Sequence, residues 1–428
     1  MLPGQRPTRA VAALPLLLGA ATVLLTACAT QDAEPNTAVT AYTGARLITG
    51  DGSVIEDGVF LVEADRFLEV GARSHIEIPA GAARVDLGGT TVMPAIVNAH
   101  VHLAATRPER TSQLQHMAYY GAGAVVSLGH DGGEAAFEMR TELVPDGARS
   151  RTAGRGITSP EPGRSDVPFW VTTEEQARAA VQELAAQHVD IVKIWVDDRN
   201  GQYERLSPAL YGAIIDEAHQ QALMVTAHVF HLEDAKGLLR AGIDVFAHGI
   251  RDLDVDDELV ALWSERPNVV LVPNLPNPGV ARGLGWLDGT VPAADLQQMQ
   301  EASVDRPAAH EAFAIQARNL ARLSEAGVKI AFGTDGSAAW AAHQEMEDMV
   351  RSGMTPADVI VAATGSSAEL MGWSDVGTLA AGKSADFIVL EANPLEDITH
   401  TRRILSVYLR GAEMDRQAIG ARLRGGAE

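Results

Sequence analysis

Six polar side chains of this sequence stand where they could do chemistry: His100, His102, His228, His248 and Asp335, of types that bind metal ions, and Lys193. Each lies in or at the carboxyl end of a short apolar, β-branched run. His100 and His102 are two residues apart, and the period of a strand turns both imidazoles to one face, as joint ligation requires. Singly these are ordinary residues, since His-x-His arises by chance and Gly333-Thr334-Asp335-Gly336 would serve as a plain turn. Together they are not ordinary. Four histidines and an aspartate converging at one place would be costly buried polar groups unless something satisfied them, and a metal would.

The elements that must position them read as a repeating pattern. From about residue 91, β-branched runs alternate with segments of helical period, the signature of βα units around a parallel sheet. The expected strands are Thr91–His102, Ala124–His130, Arg151–Thr158, Asp190–Val196, Leu223–Phe230, Asp244–Ile250, Asn268–Pro273 and Lys329–Asp335. Eight is the number of a TIM barrel, whose active sites lie at the carboxyl ends of the strands. Thr172 with Glu175, Ser207-Pro208 and Thr355-Pro356 read as helix starts. Leu275 to Arg306, rich in proline and glycine, is expected to form a long loop over the mouth.

Two β-rich pieces flank this region, and neither has enough alternating apolar positions for a core of its own. The expected fold is therefore α/β, a TIM (β/α)8 barrel over residues 91–375 with a small composite β-sandwich domain from both termini, residues 41–90 and 376–428.

Residues 1–27 read as a signal peptide, with Arg6 and Arg9 ahead of an apolar run, Val11 to Leu25, too short to span a bilayer. The run ends at Leu25-Thr26-Ala27-Cys28, which resembles the lipobox of bacterial lipoproteins; that resemblance makes Cys28 the lipidated first residue of the mature chain. Cys28 is the only cysteine, so internal disulfides are excluded. Residues 28–40 read as a lipidated N-terminus and polar linker. The expected location is an exported protein, lipid-anchored to a bacterial membrane on its periplasmic or extracellular face. With 34 basic against 56 acidic residues, a net −22, the chain repels phosphate backbones. Nucleic acid is not an expected partner, and contact with the membrane is expected through the anchor only.

The run Val92-Met93-Pro94-Ala95-Ile96-Val97-Asn98-Ala99-His100-Val101-His102 resembles the first-strand motif of the amidohydrolase superfamily, in its imidazolonepropionase/prolidase-like branch. Thr226-Ala227-His228, Phe246-Ala247-His248-Gly249 and Gly333-Thr334-Asp335 resemble its later metal strands, and Gly377 to Asp386 its return into the small domain. The resemblance implies two divalent metal ions, zinc by default. His100, His102 and Asp335 would hold one and His228 with His248 the other, with carbamylated Lys193 bridging them. A carbamate there is electrostatically reasonable, because an ammonium of pKa ~10.4 beside two divalent cations would be repelled. Ala95 and Asn98 stand where the family commonly has glycine and aspartate, and His231 replaces the glutamate usual in its deaminases. The implied reaction is hydrolysis of a C–N bond, amide or peptide-like and dipeptidase-like in the narrowest form, by a metal-activated water with Asp335 as proton shuttle. The alternatives are a non-catalytic exported lipoprotein binding a metal or small ligand, and a phosphotriester or lactone hydrolase.

The substrate is expected to be a small molecule bearing a carboxylate. Arg155, Arg164, Arg199 and Arg251 follow strand ends, and Arg251, three residues beyond His248, is the chosen carboxylate contact. His231 is the second substrate-binding candidate, and His343 also falls near the mouth. His75, His116, His188, His219, His310 and His400 read as surface or helix-face residues. Replacing Cys28 with serine should release the protein from the membrane fraction; persistent membrane association of Cys28→Ser would remove the anchor from the account.

Overall fold

The computed structural model describes residues 38–425. The signal peptide and Cys28 lie outside the described residues. Chain order gives β1 (Thr40–Ile48), β2 (Val54–Glu63), β3 (Arg66–Ala72), β4 (Ala83–Asp86) and β5 (Thr91–Pro94). Then come β6 (Ile96–Val101), β7 (Ala122–Ser127), β8 (Arg149–Thr152), β9 (Ile157–Thr158) and β10 (Phe169–Trp170). The remaining strands are β11 (Val192–Val196), β12 (Val225–Val229), β13 (Val245–Phe246), β14 (Val270–Leu271), β15 (Lys329–Ile330), β16 (Phe387–Leu390), β17 (Ile404–Leu409) and β18 (Ala412–Glu413).

Eight parallel staves, β6 to β8 and β11 to β15, carry the eight expected runs, with helices following most of them. They form two sheets joined by backbone hydrogen bonds. Asp190 N–H donates to Thr152 O at 2.9 Å on one side; Ala99 N–H to Phe332 O at 2.8 Å and Thr334 N–H to His100 O at 3.0 Å close the other. β6, β7, β11 and β12 are buried on both faces, as apolar runs in a parallel sheet must be. Two expected strands are broken. Thr91–His102 divides at Ala95, and Arg151–Thr158 gives β9 as an extra strand pairing β10 and β11.

β5 belongs to the small sheet, where it pairs antiparallel with β16 and parallel with β1, while β6 enters the barrel one residue later. The two halves of the expected sandwich are one curled sheet, ordered β18-β17-β16-β5-β1-β2-β3 with β4 beside β1. Its far ends meet where Phe67 N–H donates to Lys383 O and Ala385 N–H to Asp65 O, at 2.9 and 2.8 Å. The curl encloses aromatic residues from both termini. Phe387 stacks on Tyr408 at 4.4 Å between ring centres and meets Phe60 edge-on at 5.0 Å. Arg149 of β8 ties barrel to sheet, lying 2.7 Å from Asp375 and 3.3 Å from Asp386.

Ser207 and Thr355 cap their helices as expected, accepting from Leu210 N and Asp358 N. The other cap is Thr173, one residue later than expected, because its oxygen reaches Gln176 N. The segment after β14 is only partly loop: Gly285–Leu287 form a 3₁₀ turn and Ala293–Ala302 a helix. Among the described residues no helix is long and apolar enough to cross a membrane.

Candidate active site

The staves deliver their polar residues to one end of the barrel. His100 ends in β6 with no exposed surface, and Asn274, just past β14, donates to its Nδ1 at 2.7 Å. The same Asn274 amide donates to Ala247 O at 2.7 Å, so the ring is braced against the strand carrying His248. His248 is equally buried, and Arg251 donates from Nη2 to its Nδ1 at 2.5 Å. Both histidines therefore turn Nε2 inward. Asp335 receives them, with Oδ1 at 3.2 Å from His100 Nε2 and 3.0 Å from His102 Nε2, and Oδ2 at 3.4 Å from His248 Nε2.

Asp335 holds this place through an uncommon backbone. Its φ is +51°, and its N–H donates to His100 O at 2.9 Å. Gly333 lies against β6 so closely that a Cβ would stand 2.7 Å from His100 Cβ, so a larger residue would push the two metal-candidate strands apart. The Asp335 side chain keeps 37% of its surface exposed, enough to meet a substrate from outside.

His228 on β12 packs its ring 4.3 Å from that of His248. Its Nε2 bonds Asp197 Oδ2 at 2.9 Å, which leaves Nδ1 as the free nitrogen. Lys193 on β11 has no exposed surface, and its Nζ has no hydrogen-bond partner. Gly129 makes room for it: a Cβ there would stand 2.8 Å from Lys193 Cγ. All six expected residues thus occupy one end of the barrel, and the donor atoms of His100, His248 and Asp335 lie within 4.8 Å of one another.

Burial dominates the electrostatics. It pushes the Lys193 ammonium down to about 7, with Asp335 opposing and Arg199 and Arg251 reinforcing. It pushes His100 down to about 3 and His228 to about 4, and His248 falls well below its usual range, so these rings are neutral and able to ligate. Burial would raise the Asp335 carboxyl, but His100 and His248 outweigh it and hold the group ionised. The buried Nζ of Lys193 has no partner, and the buried Nε2 atoms of His100 and His248 face only the Asp335 carboxylate, a polar set that the protein alone satisfies poorly. Imidazole nitrogens and a carboxylate are the donor set of a divalent transition metal, so the residues fit one.

The substrate candidates fare differently. Arg251 is largely buried and its Nε has no partner; Asp252 turns instead to Leu232 N–H and to His231. His231 bonds Asp252 through Nδ1 at 3.1 Å at a helix start, while its Nε2 lies 3.5 Å from Asp198 without a hydrogen-bond partner. Arg199 pairs with Asp197 and Glu161, Arg164 with Glu161, and Arg155 lies over Phe169. His343 is buried between Thr401 and Tyr120 O and belongs to the packing. His116 is a half-buried residue of the helix Arg107–Tyr119, beside Tyr120 and Trp340.

Three neighbours of the site went unread in the sequence. His130 lies with its ring 5.0 Å from His102 and 5.2 Å from Trp195, and burial pushes it down to about 4. Asp197 orients His228, and Asn274 orients His100. Each ends or directly follows an expected strand, and that position was the available signal.

The pattern of the amidohydrolase family matches residues 91–414. An uncharacterised protein of Mycobacterium tuberculosis is 30% identical over 69% of this chain and 78% of its own length. The imidazolonepropionase of Deinococcus radiodurans is 26% identical over 85% of this chain and 94% of its own. Among solved structures, a candidate prolidase from Bifidobacterium longum superposes with a TM-score of 0.72 at 27% identity, covering 90% of this chain and 98% of that one. Its fold, its His/His/Asp centre of the kind that binds divalent metal in this family, and the matched span make the chain a member of the amidohydrolase family, hydrolases acting on carbon–nitrogen bonds.

Proposed function

We propose that this protein hydrolyses the amide bond of a small carboxylate-bearing substrate, a dipeptide or N-acyl amino acid, as an exported lipoprotein. The observation that carries the reading is the meeting of three imidazole Nε2 atoms on the Asp335 carboxylate, at 3.0 to 3.4 Å, beside an unpartnered Lys193. His100, His102 and Asp335 would hold one ion, His228 and His248 a second, and Lys193 would bridge both as its carbamate. A divalent ion there supplies a more acidic water and a polarised carbonyl. Lys193 meets the chemical requirement for carbamylation, since an amine brought down to about 7 is substantially unprotonated at neutral pH and can add to carbon dioxide with loss of one proton.

Asp335 is the proton carrier of this proposal. Its ionised carboxylate is partly exposed, so it can accept a proton from the attacking water and return it to the departing nitrogen, which is too basic to leave as an anion. Arg251 supplies a fixed positive charge, and its unpartnered Nε is a donor for the substrate carboxylate. The acid-rich chain gives no long-range attraction for such a substrate, so recognition rests on this local cation.

Asp335→Asn should cost about 10²–10⁴-fold in kcat with the melting transition preserved; turnover near that of the parent would end its role as shuttle. The purified protein should contain divalent metal by elemental analysis, lose activity with chelator, and recover best with zinc plus bicarbonate; a metal-free active protein would refute the centre. Arg251→Met should lower kcat/KM for a carboxylate-bearing amide by roughly 10–100-fold, while a neutral amide analogue should lose far less. Equal losses for both would assign Arg251 to holding His248 alone.

A further inference from the structure

Beside the candidate metal residues lies a second space that the proposed chemistry does not use. A cavity of about 400 Å³ opens against Thr334, the residue preceding Asp335, and runs under the segment that follows β14. Its apolar wall includes Leu275, Val280, Leu284 and Met299. The volume lies within the usual range of ligand pockets, and is larger than a single small acyl group needs.

The cover of this cavity is braced from within. Gln300 accepts from Leu284 N–H at 2.8 Å and donates to Arg282 O at 2.9 Å, while Ser303 Oγ accepts from Arg282 N–H at 2.8 Å. Arg306 N–H donates to Gly279 O at 2.8 Å. The loop after β14 and the end of the helix Ala293–Ala302 are thus stitched into one flap that holds the cavity open.

Charge decides what the cavity accepts. Its charged lining is Glu345, Asp348, Arg282 and Arg306; the two carboxylates are buried and already engaged, Arg282 pairs with Asp348, and Arg306 is exposed at the rim. Glu345 takes the Leu275 N–H on its two oxygens at 3.0 and 3.1 Å, and Asp348 pairs with Arg282. Burial, with Asp348 nearby, pushes the Glu345 carboxyl well above its usual range and toward its neutral form. Among the described residues no free carboxylate remains in the wall to receive a substrate ammonium, as the free amino group of a dipeptide would need.

We infer that this cavity is the acyl subsite, and that the enzyme prefers an amino acid N-acylated by a bulky, uncharged apolar group over a free dipeptide. The inference rests on the proposed amide hydrolysis. Arg251 reaches Asp335 through His248, and the cavity adjoins the same site through Thr334, so a substrate at Asp335 would set its carboxylate on the first and its acyl group in the second.

The test is a panel of N-acetyl-leucine, N-benzoyl-leucine, N-octanoyl-leucine and the dipeptide Phe-Leu with metal-loaded protein. The expected order of kcat/KM places the benzoyl and octanoyl compounds at least tenfold above both the acetyl compound and the dipeptide. Ala302→Trp, at an exposed position in the wall, should lower the ratio of benzoyl to acetyl kcat/KM at least tenfold. Val304→Trp, at a position 53% exposed, is the second variant and should shift the ratio the same way. A dipeptide preferred by the parent protein, or a ratio unmoved in both folded variants, would overturn the acyl subsite while leaving amide hydrolysis standing. Failure of the parent to cleave any member of the panel would overturn the proposed function, and the subsite with it.

Discussion

The structure depends on the cost of keeping an amine and several imidazoles out of water. Lys193 has no exposed surface, and its Nζ has no partner, so its cation is destabilised and its pKa is brought down to about 7. The same desolvation keeps the rings of His100, His228 and His248 neutral. Neutral nitrogens gathered on one carboxylate are poor company for each other and good company for a divalent cation. What destabilises the bare site is what equips it to hold metal.

The surrounding residues limit how far that site can relax. Asn274 and Asp197 fix the rings of His100 and His228, and Arg251 fixes His248. Asp335 is held at a positive φ by its hydrogen bond to His100 O, and Gly333 and Gly129 leave the space that close strand contact demands. A buried ion pair, Arg110 with Asp131 at 2.9 Å, lies directly behind His130 and ties it to Ser127 and Thr152. The end of the barrel is therefore a set of oriented groups, which is what electrostatic catalysis requires.

Much of this was legible in the residues. The alternation of β-branched and helical segments announced eight staves, and the polar residues at their ends identified the six that converge. The break at Ala95 was not legible, because Val92 to Val97 is apolar throughout and periodicity cannot show where one sheet hands the chain to another. His231 misled for a related reason. Its place after β12 suggested a substrate contact, but Asp198 and Asp252 come from separate loops, and only the fold shows that Asp252 takes its Nδ1 and Asp198 stands 3.5 Å from its Nε2. The acyl cavity was invisible to sequence reading, since the helix Ala293–Ala302 lay inside a segment read as loop.

The handover at Ala95 ties the two ends of the polypeptide to its chemical centre. Met93 pairs with Ile388 across the small sheet, and only a few residues further along the same stretch stands His100. The two paired residues are 295 positions apart (388 − 93), so the root of the first histidine-bearing stave is held by β1 alone until synthesis has run to β16. A polypeptide ending before β16 would possess every candidate ligand and still lack one of the two strands between which the first of them is rooted.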